Sequence, residues 1–151
     1  MFLKLSLQNL QDDMVALVVG KDVRQIKEGL QNATDQLALW AENEGMELNA
    51  LKTKVMLFGD TVNKVNVKIN DNVLECVTSY KYLGVVFDTQ MDFAMQVDYA
   101  VGKAKRAMAK VGTLIDGRKG IPIHIGIDLY KALVRPHLEY AIPVWANITD
   151  R

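Results

Sequence analysis

The hydrophobic pattern of this chain changes near Asp88, and this change constrains the fold more than any other feature. Before it, short apolar runs alternate with turn residues, as in the series VNVKI, NDN and VLECV, which is typical of strands. After it, apolar residues recur at steps of three and four from Phe93 to Ile115, which predicts a long helix. The sequence therefore predicts an α+β fold in two lobes that divide near residue 90.

The start of the first lobe fits a hairpin followed by a helix. Residues 3–10 fit either helical spacing or strand alternation, but a strand–turn–strand hairpin leading into a buried valine-rich strand at Met14–Val19 is more economical. Asp22 is suited to cap a helix that ends before Gly45, with Gln25 at the capping-box position. A single apolar stripe on this helix is predicted to be core: Ile26, Leu30, Ala33, Leu37, Trp40 and Ala41.

The remaining elements follow from local patterns. Lys54–Phe58 is predicted to be a strand, and a tight turn at residues 70–72 joins two more. The segment YKYLGVVFD is predicted to be one further strand with Gly84 inside it. In the second lobe, Pro122 suits the first turn of a helix that Pro136 interrupts.

Composition excludes several classes of protein. One cysteine, Cys76, among 151 residues excludes an internal disulfide and a cysteine-rich zinc site, and it suits a reducing compartment. The longest apolar run, Met14–Val19, is too short to cross a membrane, and the first ten residues make a poor signal peptide. We therefore expect an intracellular protein, nuclear or cytoplasmic, that is neither secreted nor membrane-bound.

The net charge of the chain is zero, but its basic residues are concentrated in one block. Residues 102–137 hold eight lysines and arginines against Asp116 and Asp128, a net charge of +6. Such a block can follow a phosphate backbone or can simply be a solvated helix face. His124 and His137 stand singly, without a partner at metal-ligand spacing, and are interpreted as surface or packing residues.

Two adjacent carboxylates, Asp12 and Asp13, precede the valine-rich strand. Charged groups are costly to place beside a buried strand, so such a pair usually holds a metal or forms a turn. Farther along the chain come W-x5-M-x-L-N, KTKVMLFG, YKYLGV and LYKALVRPHLEYAIPVW. In this order and at this spacing, from about Asp12 to Trp145, the series resembles the later part of the reverse transcriptases of non-LTR retrotransposons.

The resemblance implies a partial polymerase palm over residues 1–90, with antiparallel strands and one packed helix, followed by a helical thumb-like region over residues 91–151. Asp12 and Asp13 match the family's catalytic aspartates, which hold Mg²⁺ for nucleotidyl transfer. Lys52 matches a family lysine near the nucleotide phosphates, although an exposed lysine before a strand is the simpler interpretation.

The resemblance also implies residues that hold nucleic acid. Tyr82, Leu83 and Gly84 match the family's primer-gripping hairpin, and the alternative is a core strand with an aromatic partner. The thumb helix would contact the phosphates of an RNA/DNA template–primer duplex through four basic residues: Lys103, Lys105, Arg106 and Lys110.

The family needs a further metal-binding aspartate and fingers ahead of the Asp-Asp turn, whereas the first acidic residue here is Asp12. We therefore expect a fragment of an RNA-directed DNA polymerase that is inactive alone and binds Mg²⁺ weakly or not at all. The alternatives are a non-catalytic module that binds nucleic acid or protein, and a translated relic with no selected role. A shortened palm would also expose a sheet edge, which predicts self-association.

Overall fold

The computed structural model describes residues 2–6, 13–59, 65–115 and 120–146. The strands are β1 (Phe2–Ser6), β2 (Asp13–Leu17), β3 (Lys54–Met56), β4 (Lys68–Ile69), β5 (Asn72–Val73), β6 (Glu75–Cys76), β7 (Ser79–Tyr82) and β8 (Val85–Asp88). The helices are α1 (Val23–Asn43), α2 (Ala94–Ile115), α3 (Ile123–Leu129), α4 (Arg135–Glu139) and α5 (Ile142–Trp145). A π-helical turn, Tyr130–Val134, joins α3 to α4.

Two compact units make up the chain. The first contains Met1–Tyr80 with Asp88–Met91, and the second contains Lys81–Phe87 with Asp92–Arg151. The predicted mixed α+β class is confirmed, since strands dominate the first part and helices the second. The assignment of residues 1–90 to a palm and 91–151 to a thumb stays a prediction.

The first unit contains a four-stranded sheet in the order β2-β1-β3-β6. β1 pairs antiparallel with β2, from Phe2 opposite Leu17 to Ser6 opposite Asp13, so the predicted hairpin is confirmed. β1 also runs antiparallel to β3, and β3 runs parallel to β6. The Lys54 ammonium of β3 pairs with the Glu75 carboxylate of β6 across that parallel junction.

The valine-rich strand β2 is only half-buried, which corrects the sequence prediction of a buried strand. Met14 and Ala16 pack against the first core, but the residues of the opposite face are more exposed. Leu17 is 68% exposed, and Val19 just beyond the strand is 92% exposed. The reason is position, because β2 lies at one end of the strand order. A run of apolar residues indicates a buried strand only when neighbouring strands or helices cover it. Self-association through this edge stays a prediction.

Helix α1 begins at the predicted cap. The Asp22 carboxylate accepts the Gln25 backbone N–H at 2.8 Å, and the Gln25 side chain in turn accepts the Lys21 N–H at 2.9 Å. The helix ends at Asn43, and Gly45 follows with a left-handed φ of 68°. Of the predicted core stripe, Leu30 and Ala41 are fully buried, whereas Trp40 is 42% exposed and is not a core residue.

The first core lies under this helix. Alternation in VNVKI is confirmed, since Val65, Val67 and Ile69 are buried while the residues between them are exposed. The predicted tight turn joins β4 to β5, and Asn70 has a φ of 52° there. The buried apolar residues of this core are Leu30, Ala41, Leu48, Val55, Leu57, Val65, Val67, Ile69 and Leu74, and the half-buried Cys76 packs against them.

The segment YKYLGVVFD forms a hairpin, which corrects its prediction as a single strand. β7 and β8 pair in a two-stranded sheet, and the two residues between them, Leu83 and Gly84, have φ values of 45° and 82°. Positive φ at both central residues is the geometry of a type I′ turn. Leucine is a rare choice for such a turn, so the sequence contained no usual signal for it.

The second unit packs α2 against the helices that follow Pro122. Ala104 and Val111 of α2 meet Val134 of the π-helical turn in a small core. Pro136 lacks an N–H and would disrupt a continuous α-helix. The wider turn avoids this conflict, because the Arg135 N–H bonds to the Tyr130 carbonyl five residues earlier.

Candidate nucleic-acid interface

Of the two predicted catalytic aspartates, the structure describes the backbone of Asp13 alone. Asp12 falls outside the described residues, and Asp13 is the first residue of β2. β1 runs antiparallel to both β2 and β3, so the chain enters those two strands at the same end of the sheet. Lys52 precedes β3 and therefore lies at the same end as Asp13. The topology thus brings together the two segments predicted to contribute to one site.

The loop that carries Lys52 is held by its neighbours. Asn49 accepts the Lys52 N–H through its side-chain oxygen at 3.1 Å, and the Thr53 hydroxyl donates to the Asn49 carbonyl at 2.8 Å. Thr53 is fully buried, while Lys52 is exposed. This arrangement fixes the backbone of the loop and leaves the Lys52 side chain in solvent.

A magnesium site is not formed by the residues that the structure describes. Magnesium requires near-octahedral oxygen coordination, usually with more than one protein or substrate ligand. Across the described ranges, no three residues among His, Cys, Asp and Glu lie close enough to share a metal ion. Asp12 and the side chain of Asp13 lie outside the residues described, so the magnesium site that the resemblance implies stays a prediction.

The predicted primer-gripping residues form the tip of the β7–β8 hairpin. Leu83 is 67% exposed, and its carbonyl accepts the Tyr140 hydroxyl at 2.8 Å. The Tyr140 ring lies so close to Gly84 that an added Cβ would be 3.0 Å from its Cε1 atom. Tyr140 was not singled out from the sequence, because its 57-residue separation from the hairpin gives no local signal.

Three of the four predicted backbone-binding residues line one groove. Lys103, Arg106 and Lys110 lie on one face of α2, at spacings of three and four residues. Together with Leu133 and His137 they border a groove of about 350 Å³. Lys105 is exposed but is not among the residues that line it. His137, interpreted from sequence as a surface or packing residue, is half-buried in the wall of the groove.

The groove is positively charged because few carboxylates oppose its lysines and arginine. Arg135 is paired with Glu139 at 2.6 Å, and this carboxylate raises the pKa of the guanidinium. Within the described ranges, no carboxylate lies within 4.0 Å of the basic groups of Lys103, Arg106 or Lys110. Their charge is therefore available to an anionic partner. None of the helices in these ranges is long and apolar enough to cross a membrane.

Comparison with known proteins relates the chain to retrotransposon polymerases. It is 26% identical over 135 residues to the RNA-directed DNA polymerase from mobile element jockey of Drosophila melanogaster, and 27% identical over 135 residues to that of Drosophila funebris. It is 23% identical over 141 residues to a retrovirus-related Pol polyprotein from type-1 retrotransposable element R1 3 of Nasonia vitripennis.

Each match covers 89% of this chain, but only 15% of the jockey proteins and 37% of the R1 protein. No family model matches the chain, and no solved structure matches it. The chain is thus distantly related to the RNA-directed DNA polymerases of retrotransposons, which supports at that level the resemblance to non-LTR reverse transcriptases.

Proposed function

We propose that this chain is part of a retrotransposon RNA-directed DNA polymerase and that it holds the template–primer duplex. The observation that carries this proposal is the basic groove of α2, in a chain related to such polymerases over 89% of its length. Asp12, Asp13 and Lys52 would mark the place of nucleotidyl transfer.

Charge and spacing support a contact with a nucleic-acid backbone. Lys103 and Lys110 are seven residues apart, which is about 10 Å along a helix axis. Phosphates along one strand of a duplex repeat every few ångströms, so such a row can meet two or three of them. Lysine and arginine contacts of this kind position the duplex without reading its sequence. Binding should therefore be sensitive to salt and indifferent to sequence.

The hairpin tip supports a second contact, at the primer end. Leu83 is held in the left-handed region, which costs a non-glycine residue about 1–3 kcal/mol. The Tyr140 hydrogen bond helps to hold this conformation in place. A strained and exposed turn on a fixed hairpin is suited to present its backbone to a ligand.

Fluorescence anisotropy with a labelled RNA/DNA duplex tests the proposal. We expect the affinity to fall steeply between about 50 and 200 mM salt, with a slope of about −0.9 per phosphate contacted. Replacing Lys103, Arg106 and Lys110 together by glutamine should weaken binding to all duplexes and reduce the slope by two to three contacts, or about 2–3 units.

The matched control is Lys105→Gln, which removes one charge from the same helix outside the groove. It is compared with Arg106→Gln at the neighbouring position, where we expect the larger loss of affinity. The proposal fails if the protein does not bind duplex at low salt. It also fails if the two single variants lose affinity equally, because net charge rather than the groove would then explain binding.

A further inference from the structure

Two lysines from different elements of the second unit converge on Tyr99. Lys81 of β7 donates to the Tyr99 hydroxyl at 2.5 Å, and its Nζ atom lies 4.6 Å from the centre of the phenol ring. Lys103 of α2 approaches the same ring, with Nζ at 5.4 Å from the centre. Both distances are within the range of cation–π attraction. The phenol is thus a shared partner for two positive charges.

These charges border a cavity of about 390 Å³. None of the described residues that line it is acidic, and its polar residues are Lys81, Gln96, Tyr99, Lys103, His137 and Tyr140. In the described part of the chain, neither ammonium group has a carboxylate within 4.0 Å. Bringing like charges together is unfavourable, and an anion in the cavity would relieve that repulsion.

The donors around the cavity are suited to a tetrahedral oxyanion. Each ammonium carries three N–H donors and acts as a point charge, the way lysine usually binds phosphate. The Tyr99 hydroxyl can donate as well as accept, and the His137 imidazole adds a donor. We infer that Lys81, Tyr99, Lys103 and His137 form a seat for one phosphate group, here called the phosphate seat.

The nearest source of such a group is the backbone of the duplex. Lys103 and His137 line both the basic groove and the phosphate seat, so the two are continuous. In this respect the inference rests on the proposed function. The same chemistry would also accept a free phosphate compound. The phosphate seat and the groove differ in Lys81 and Tyr99, and these two residues allow them to be tested separately.

The test is an NMR titration of the full chain, labelled on its tyrosine rings, with inorganic phosphate. The Tyr99 signal is assigned by its loss in Tyr99→Phe. We expect it to shift in a saturable way with phosphate, but not with chloride at matched ionic strength. Lys81→Gln should weaken phosphate binding at least tenfold. Lys131→Gln should leave it unchanged, because Lys131 is an exposed lysine of the same unit that lines neither cavity. Lys81 is exposed, so its replacement is compatible with folding.

The seat is refuted if the Tyr99 shift does not saturate, if chloride reproduces it, or if Lys131→Gln weakens phosphate binding as much as Lys81→Gln. If any of these results is obtained while the chain still binds duplex, only the phosphate seat is refuted. If the chain binds phosphate in a saturable way but does not bind duplex, only the proposed function is refuted. Duplex titration then identifies the source. If Lys81→Gln also lowers the salt slope by about one contact, the seat holds a backbone phosphate. An unchanged slope supports a seat for a free phosphate compound.

Discussion

Replacing Gly84 by alanine tests the geometry of the hairpin tip. Gly84 has a φ of 82°, in the left-handed region that an L side chain adopts only at a cost of about 1–2 kcal/mol. The new Cβ would also lie 3.0 Å from Cε1 of Tyr140, so the ring must shift by a few tenths of an ångström. Tyr140 is 54% exposed and can shift, but doing so weakens its hydrogen bond to Leu83.

The backbone strain at residue 84 and the weakened Tyr140–Leu83 hydrogen bond should both lower the free energy of unfolding. A hydrogen bond of this kind contributes about 1 kcal/mol, so the free energy of unfolding of the second unit should fall by about 2–3 kcal/mol in total. Gly112→Ala is the matched control. Gly112 lies within α2 with open space around its Cα, and alanine there should raise the free energy of unfolding by about 0.5–1 kcal/mol.

Urea unfolding followed by tryptophan fluorescence measures both changes. The chain has two tryptophans, and a Trp40→Phe background leaves only Trp145. Its indole N–H donates to the Tyr140 carbonyl at 2.8 Å, so its emission reports on the second unit. The described turn would be refuted if Gly84→Ala lowered the free energy of unfolding by less than about 0.5 kcal/mol. It would also be refuted if both variants changed the free energy of unfolding in the same direction.

Two further predictions concern ionisation and catalysis. The hydrogen bond from Lys81 lowers the pKa of Tyr99, with a further contribution from the charge of Lys103. As pH rises through this lowered pKa, Tyr99 becomes a phenolate among Lys81, Lys103, His137 and Tyr140, so the affinity for phosphate should fall. Phosphate titrations at a series of pH values measure this fall, and the Tyr99→Phe variant should not show it. The stability of the fold should rise over the same interval, because the folded state releases this proton more readily than the unfolded chain. The 151-residue chain alone should not extend a primer on RNA with magnesium and deoxynucleotides, and extension that Asp12→Ala abolishes would contradict this.

Local signals predicted much of the first unit. The cap at Asp22, the glycine after α1 and the alternation through Val65, Val67 and Ile69 are determined by neighbouring residues, and the structure has them as predicted. The partial exposure of β2 was missed, because burial depends on which strands and helices lie beside a strand. The β7–β8 hairpin was missed for a different reason: a leucine occupies a turn position that favours glycine or asparagine.

The candidate site also combines residues that local patterns could predict with residues that they could not. Lys103, Arg106 and Lys110 could be predicted as one face because helical spacing is regular, and Lys105 falls outside that face. The sequence could not predict the other members of the site, which are Lys81, Tyr99, His137 and Tyr140. Contacts such as the one between Lys81 and Tyr99 join residues on separate elements, so no local pattern indicates them. Their convergence depends on packing within the second unit.

The π-helical turn has a consequence for comparisons among related chains. Tyr130–Val134 accommodates one residue more than an α-helical turn would, and each residue of an α-helix advances the direction of the next side chain by about 100°. The residues of α4 are therefore rotated by that angle relative to an uninterrupted helix. His137, which lines the groove, lies on α4, and Tyr140, which bonds to Leu83, follows this helix directly. A relative with a single deletion there could keep both side chains and still direct them away from the hairpin, so the number of residues between Leu129 and Arg135 matters as much as their identities.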